Sequence, residues 1–258
     1  MSLWLEPISG FGVGLLVGLT GVGGGSLMTP LLTLVLGYAA PVAVGTDLAF
    51  AAITKSFGTV AHRSHGHVKW HIVRRLTLGA LPAALVTILG LKRLGGIDEN
   101  ALHVIKLTIA ASVLLTVLSL LFRAKLLAAL RAHPNWQLTG RPQLVATVIV
   151  GAVIGVLVTI SSIGAGAVGA TLILMLYPQL EPAEVAGTDI AYAVPLTAIA
   201  ALGHIWLETV HWTLLGSLLI GSLPGIWLGA KLTRHLPERI VRGALAATLT
   251  LAAVKLVG

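Results

Sequence analysis

Cysteine is absent from the chain, which excludes disulfides and thiolate metal sites. Charge is scarce: 10% of the 258 residues are charged, where a soluble domain carries about a quarter. Basic residues are missing altogether before Lys55, so the opening M-S-L-W-L-E-P-I-S-G has no positive n-region. It also has no A-x-A site, and no cleavable signal peptide is expected. What remains is 56% hydrophobic, with a mean hydropathy of +0.96. Long apolar runs recur from end to end, which predicts an all-α polytopic membrane protein with almost no domain outside the bilayer. The net charge of +8 does not point to nucleic acid, because basic residues collect in the short cytoplasmic loops of membrane proteins.

Six apolar segments have spanning length: about 41–62, 72–91, 101–122, 183–205, 212–231 and 239–257. Two others, about 8–37 and 143–177, are too long for one span. As a single helix, Gly10 to Leu36 would run roughly 40 Å against a hydrocarbon core of about 30 Å. It is also interrupted by G-L-T-G-V-G-G-G-S, and glycine costs about 1 kcal/mol relative to alanine inside a helix. Cut there, it yields two pieces of some ten residues, each about 15 Å long, as in a re-entrant hairpin. Loop charge points the same way. Counting both long segments as ordinary spans leaves nine basic residues on one side and seven on the other. Counting both as hairpins gathers twelve against four in the loops 62–75, 123–141 and 231–242. That asymmetry predicts six crossings in the cell (inner) membrane, with these loops cytoplasmic and both termini outside.

The two halves repeat. G-V-G-L-L-V-G-L-T-G-V-G-G-G from Gly12 resembles V-I-G-V-L-V-T-I-S-S-I-G-A-G from Val153. Gly45-Thr46-Asp47 matches Gly187-Thr188-Asp189, His62 matches His204, Trp70 matches Trp212, and A-L-P-A at 80–83 matches S-L-P-G at 222–225. A unit of one hairpin plus three spans crosses an odd number of times, so the second copy, 143–258, would be inverted relative to the first, 1–131. The polar stretch 132–142 would be a cytoplasmic linker. Inverted repeats with interrupted helices are characteristic of secondary transporters.

Taken in order, these fragments resemble the TauE/SafE family of membrane permeases, often called sulfite exporters. The resemblance rests on G-L-T-G-V-G-G-G-S-L-M-T-P, A-V-G-T-D-L, I-T-K-S-F-G-T-V-A-H and G-H-V-K-W, then V-A-G-T-D-I, A-L-G-H and T-V-H-W. It covers Gly10 to about Leu236. It implies transport of a small sulfur-containing anion such as sulfite, sulfoacetate or thiosulfate. No enzymatic activity and no cofactor are expected, and the oligomeric state is left open. The second half departs from the triple glycine at Ile160-Ser161-Ser162-Ile163-Gly164-Ala165-Gly166, so the two sites are not expected to be identical.

The candidate substrate site lies at the hairpin tips. A helix N-terminus offers unpaired N–H groups and a partial positive charge, and glycine lets an anion approach the backbone. Gly23, Gly24, Gly25 and Ser26 would form one tip, and Ser161, Ser162, Gly164, Ala165 and Gly166 the other. Thr46 and Thr188 could donate hydrogen bonds to an anion or cap a helix. Asp47 and Asp189 could couple transport to protons, since intramembrane carboxylates tend to be functional. Alternatively, they cap their helices. Lys55 would balance substrate charge or pair with Asp189, or else snorkel to the interface. His62 and His204 could gate a helix end. His62, His65, His67 and His71 look like a cluster, but three of them fall in a loop and no metal site is expected. The competing reading is a cation or metal permease using the aspartates and these histidines.

Overall fold

Long runs of Leu, Val, Ala and Ile without turn signals form helices because, in hydrocarbon, each backbone N–H must find its carbonyl within the segment. The computed structural model describes residues 5–20, 25–64, 66–93, 99–133 and 137–232. It consists of helices α1 (Leu5–Thr20), α2 (Gly25–Leu34), α3 (Ala40–Ser64), α4 (Trp70–Arg93) and α5 (Glu99–Ala132), followed by α6 (Gly140–Ser161), α7 (Ala167–Leu176), α8 (Pro182–Trp206) and α9 (Trp212–Leu232). The expected last span, 239–257, lies outside the described residues, as do Gly23 and Gly24. Among the described residues, five helices are long and apolar enough to cross a membrane: α4, α5, α6, α8 and α9. Helix α3 is as long as α8, but Thr46, Asp47, Lys55 and Ser56 dilute its apolar character.

The pairing of helices crosses between the halves. Helices α3 and α8 pack on each other at the centre, α4 lies against α6 and α8, α1 lies against α9, and α5 covers α7 and α6. Leu78, Val86, Leu107, Leu118, Ile220 and Trp227 point outward from α4, α5 and α9, as expected of a lipid-facing surface.

Glycine sets how close these pairs come. A Cβ at Gly10 or Gly14 of α1 would strike the backbone oxygen of Leu218 or Ser222 on α9. One at Gly151 or Gly155 of α6 would strike that of Leu76 or Ala80 on α4. The partners answer in kind, because Gly221 of α9 faces the Pro7 carbonyl and Gly79 of α4 faces that of Val148. Each contact in one pair has its counterpart at the repeat-related position in the other. These glycines therefore serve close packing, as small residues do between membrane helices.

Each short helix doubles back along the long helix before it. Gln143 Nε2 of α6 donates to the Leu176 carbonyl at the end of α7 (2.7 Å), and Thr147 Oγ1 bonds Tyr177 Oη (2.8 Å). At the equivalent place in the first half, Tyr38 Oη donates to Glu6 Oε1. Burial, with Glu6 adding a hydrogen bond and its charge, pushes the Tyr38 phenol up to about 12, so it stays neutral and keeps donating. The arms are unequal, in contrast to the ten and ten expected of the first hairpin. They run 16 and 10 residues in the first half, and 22 and 10 in the second. No breaker interrupts 140–161, since the notches at Gly151 and Gly155 are filled by α4. From the level of Thr147, the break after Ser161 lies about 21 Å along α6.

Replacing Gly151 by Leu is expected to force α4 and α6 apart at a cost of about 1–3 kcal/mol, lowering the thermal unfolding temperature of the purified protein. Gly90→Ala, where a Cβ meets nothing within 4 Å, is expected to be neutral or stabilising by up to about 1 kcal/mol. Equal responses in the two variants would contradict the packing role.

Candidate functional site

The two Gly-Thr-Asp triplets divide three tasks among three consecutive residues. The glycine admits a loop from the other half: a Cβ at Gly45 would lie 2.9 Å from the Thr209 carbonyl oxygen, and one at Gly187 would lie 2.9 Å from that of His67. The threonine fastens that loop. Thr46 Oγ1 accepts from the His211 backbone N–H and Thr188 Oγ1 from that of Lys69, both at 3.0 Å. Each bond holds the residue just before α9 or α4. Both threonines are thus committed to joining the halves, and the structure does not bring them to the hairpin tip. The aspartate points inward, and Asp47 and Asp189 are both buried.

The break between α6 and α7, residues 162–166, shows where the freed backbone groups go. The Ser162 N–H still reaches the Val158 carbonyl (2.7 Å), and Ser161 Oγ takes the Ile163 N–H (3.2 Å). The Gly164 carbonyl accepts from Gly169 N–H (2.9 Å) and the Gly166 carbonyl from Ala170 N–H (2.8 Å). Gly164 (φ 137°) and Gly166 (φ 139°) hold backbone conformations that side chains disfavour. The Ala165 carbonyl is bonded by Lys55 Nζ at 3.1 Å. Lys55 is 4% exposed, so it does not snorkel. Among the described residues it forms no ion pair within 4.0 Å, yet its charge acts on both Asp47 and Asp189. The Gly166 N–H, at the head of α7, faces Asp189.

Asp47 is held by Thr29 of α2, whose hydroxyl donates to Oδ2 at 2.6 Å. Its other oxygen faces Ser162, the residue that ends α6 in the left-handed region (φ 59°). Among the described residues, Asp47 Oδ1, Ser162 Oγ, Asp189 Oδ1 and Tyr192 Oη make no hydrogen bond within 3.5 Å. Two buried carboxylates in the field of Lys55 thus each keep one oxygen unbonded there. Thr29, Tyr192 and Gly169 are absent from the sequence-based site. Each departs from its repeat-related residue, Ala170, Phe50 and Met28 respectively, but such a departure does not by itself mark a site.

Other expected residues play other parts. Ser161 Oγ donates to Leu157 O (2.7 Å), lies 3.2 Å from Ser112 Oγ and closes the end of α6. His204 bonds Thr209 Oγ1 (2.8 Å) and Thr159 O (2.9 Å) through its two ring nitrogens, about 22 Å further along α8 than Asp189. It ties the end of α8 to α6, away from the lysine. Gly25 opens α2, while the side chains of Ser26 and His62 lie outside the described set, as does His65. Among the described residues no three His, Asp or Glu side chains converge on a metal position. An apolar cleft of about 890 Å³ between α3, α4 and α8 is lined by Trp70, Arg74, Leu78 and Val194, and is separate from the polar cluster.

Thr46→Val and Thr188→Val each strand one backbone amide and are expected to cost about 1–3 kcal/mol, by similar amounts. Thermal unfolding of the two purified variants measures this. A large drop for one with none for the other would contradict their equivalence.

The family described as "Sulfite exporter TauE/SafE" matches residues 7–256. A probable membrane transporter protein of Bacillus subtilis, YjnA, is 34% identical over 251 residues, 97% of this chain and 98% of its own. A second from the same organism, YdhB, is 28% identical over 95% of this chain and 96% of its own. A probable membrane transporter protein of Xylella fastidiosa is 27% identical over 93% of this chain and 90% of its own. No solved structure matches the chain. With the family matched over nearly its whole length, this all-helical, multi-pass membrane protein belongs to the TauE/SafE sulfite exporter family of transporters, and is not an enzyme.

Proposed function

We propose that the protein moves a small anion, a sulfur oxyanion or organosulfonate such as sulfite, by alternating access about the α6–α7 break. The observation that carries this reading is Lys55, a buried cation bonded to a backbone carbonyl of an interrupted helix. A lysine in hydrocarbon costs about 2.5–3.5 kcal/mol on insertion scales. One carbonyl and two carboxylates at longer range offset part of that, and an incoming anion would complete it. The head of α7 adds amide donors and a partial positive charge. Backbone donors hold an anion without a fixed countercharge, so release stays feasible.

In this reading Ser162, Gly164, Ala165 and Gly166 with Lys55 line one tip, and Gly23, Gly24, Gly25 and Ser26 the other. Asp47 and Asp189 take up protons during transport. Each buried carboxylate would repel an anion, so a proton on one lowers the cost of bringing the anion in. The repeats 1–131 and 143–258, joined by the linker 132–142, would be inverted and rock about the α3–α8 contact. The mouth near Tyr177 is basic, with Arg75 bonded to Tyr177 Oη and Arg131 to the Pro178 carbonyl. The mouth near Tyr38 carries Glu6. That contrast supports a cytoplasmic Tyr177 side and an inner-membrane location with the termini outside.

Purified protein in proteoliposomes is expected to carry sulfite, faster with an inward proton gradient. Lys55→Ala is expected to lower the flux at least about tenfold, which is about 1.4 kcal/mol of lost transition-state or binding energy, while Lys55→Arg retains part of it. Wild-type flux in a well-folded Lys55→Ala protein would refute the site, and no anion flux in the parent protein would refute the function.

A further inference from the structure

The lateral cleft between α3, α4 and α8 opens on the lipid-facing surface, because Leu78, one of its lining residues, is 68% exposed. Its polar groups gather at one end. Arg63, near the end of α3, lies with its guanidinium 5.9 Å from the ring of Trp70, the first residue of α4. That contact sets the two helices level with each other. One turn further in, Thr59 of α3 and Arg74 of α4 line the cleft, and Thr77 follows about a turn after Arg74. Beyond them the lining is apolar, with Leu81 and Pro82 of α4 facing Val194 and Pro195 of α8. From Trp70 to Pro82 the cleft extends about 18 Å along α4, close to the roughly 15 Å of hydrocarbon in one leaflet.

Among the described residues, three of these polar groups have no hydrogen-bond or ion-pair partner. Arg74 is exposed and unpaired, whereas its basic neighbours are engaged: Lys69 pairs with Glu184, and Arg75 donates to Tyr177 Oη. Thr59 Oγ1 and Thr77 Oγ1 are shut off from water and make no hydrogen bond. The frame does not require the three. At repeat-related positions Gly216 stands for Arg74, Leu219 for Thr77 and Ala201 for Thr59, while Trp212 and Pro224 keep the tryptophan and the proline.

Over the depth of one leaflet the lining thus runs from a cation at the interface, through hydroxyl donors, to hydrocarbon walls. A phospholipid has the same order of phosphate, ester carbonyls and acyl chain. A guanidinium suits phosphate oxygens, threonine hydroxyls donate to carbonyls, and tryptophan belongs at the headgroup level. Net charge decides among phospholipids. Two guanidiniums, Arg63 and Arg74, stand at the rim, and among the described residues no acidic side chain lines the cleft to receive the ammonium of a zwitterionic lipid. Basic pockets between membrane helices favour anionic headgroups for this reason.

We propose that this cleft binds one anionic phospholipid from the leaflet in which α4 begins, with its phosphate on Arg74, its ester carbonyls beside Thr59 and Thr77, and an acyl chain between Leu81 and Val194. The lipid touches α3 and α8, the central pair of helices, as well as α4. Its binding does not depend on which substrate the protein moves.

Native mass spectrometry of the detergent-purified full-length protein, titrated with phosphatidylglycerol or with phosphatidylcholine of matched chains, tests this. Wild-type protein is expected to bind phosphatidylglycerol at least about fivefold more tightly. Arg74→Gln, a change at an exposed position, is expected to remove most of that preference. Lys125→Ala, at an exposed basic residue of α5 outside the cleft, is expected to leave it standing. Val194→Trp, which fills the apolar end, is expected to weaken both lipids. Equal wild-type affinity for the two lipids would overturn the proposal, as would an unchanged preference in Arg74→Gln or an equal loss in Lys125→Ala. Displacement of phosphatidylglycerol by excess inorganic phosphate would also overturn it, by making Arg74 a site for the free anion rather than for a lipid.

Discussion

An interruption inside a membrane helix frees backbone groups that lipid cannot bond, and the rest of this structure is arranged to supply their partners. The break after Ser161 sends its amides and carbonyls to neighbouring turns and to the Ser161 hydroxyl. Two reach side chains of other helices: the Gly166 N–H faces Asp189 of α8, and the Ala165 carbonyl is held from the other half by Lys55 of α3. That bond ties the position of α7 to that of α3, and through the α3–α8 contact to Asp189. A lysine can serve there only because the surrounding helices keep it from water and set carboxylates within its field. The polar cluster and the helix packing are thus one design.

The matched contacts between the halves give this arrangement a near-symmetric frame around an asymmetric centre. Glycine-to-carbonyl approaches recur at repeat-related positions in the α1–α9 and α4–α6 pairs, and the two threonine bonds recur to the same length. At the centre the symmetry lapses. Lys55 is matched by Thr197, whose hydroxyl returns to its own helix at Ala193, and Tyr192 is matched by Phe50. A symmetric scaffold can exchange two conformations of nearly equal energy. A single charged centre gives the proposed transport one built site.

Much of the scaffold is legible in the sequence because membrane helices obey a strong rule of length and apolarity, and because the halves repeat. The pairing of Asp47 with Asp189 follows from the repeat, and the odd position of Lys55 from its neutral counterpart. Two features were not legible. The function of Thr46 and Thr188 was hidden because their partners are backbone amides, which carry no sequence signature. Tyr192 and Thr29 were hidden because a lone hydroxyl in an apolar helix becomes informative only when its neighbours are known. His204, expected at a helix end or gate by its match to His62, is held on both ring nitrogens at the end of α8.

The most direct measurement of the central claim is an experimental structure of the protein with selenite, located by the selenium signal. The account predicts selenium at the head of α7, with its oxygens in hydrogen-bond reach of Lys55 Nζ and of backbone amides in the first turn of that helix. Selenium in the lateral cleft beside Trp70 and Arg74, with the α6–α7 break empty, would contradict it.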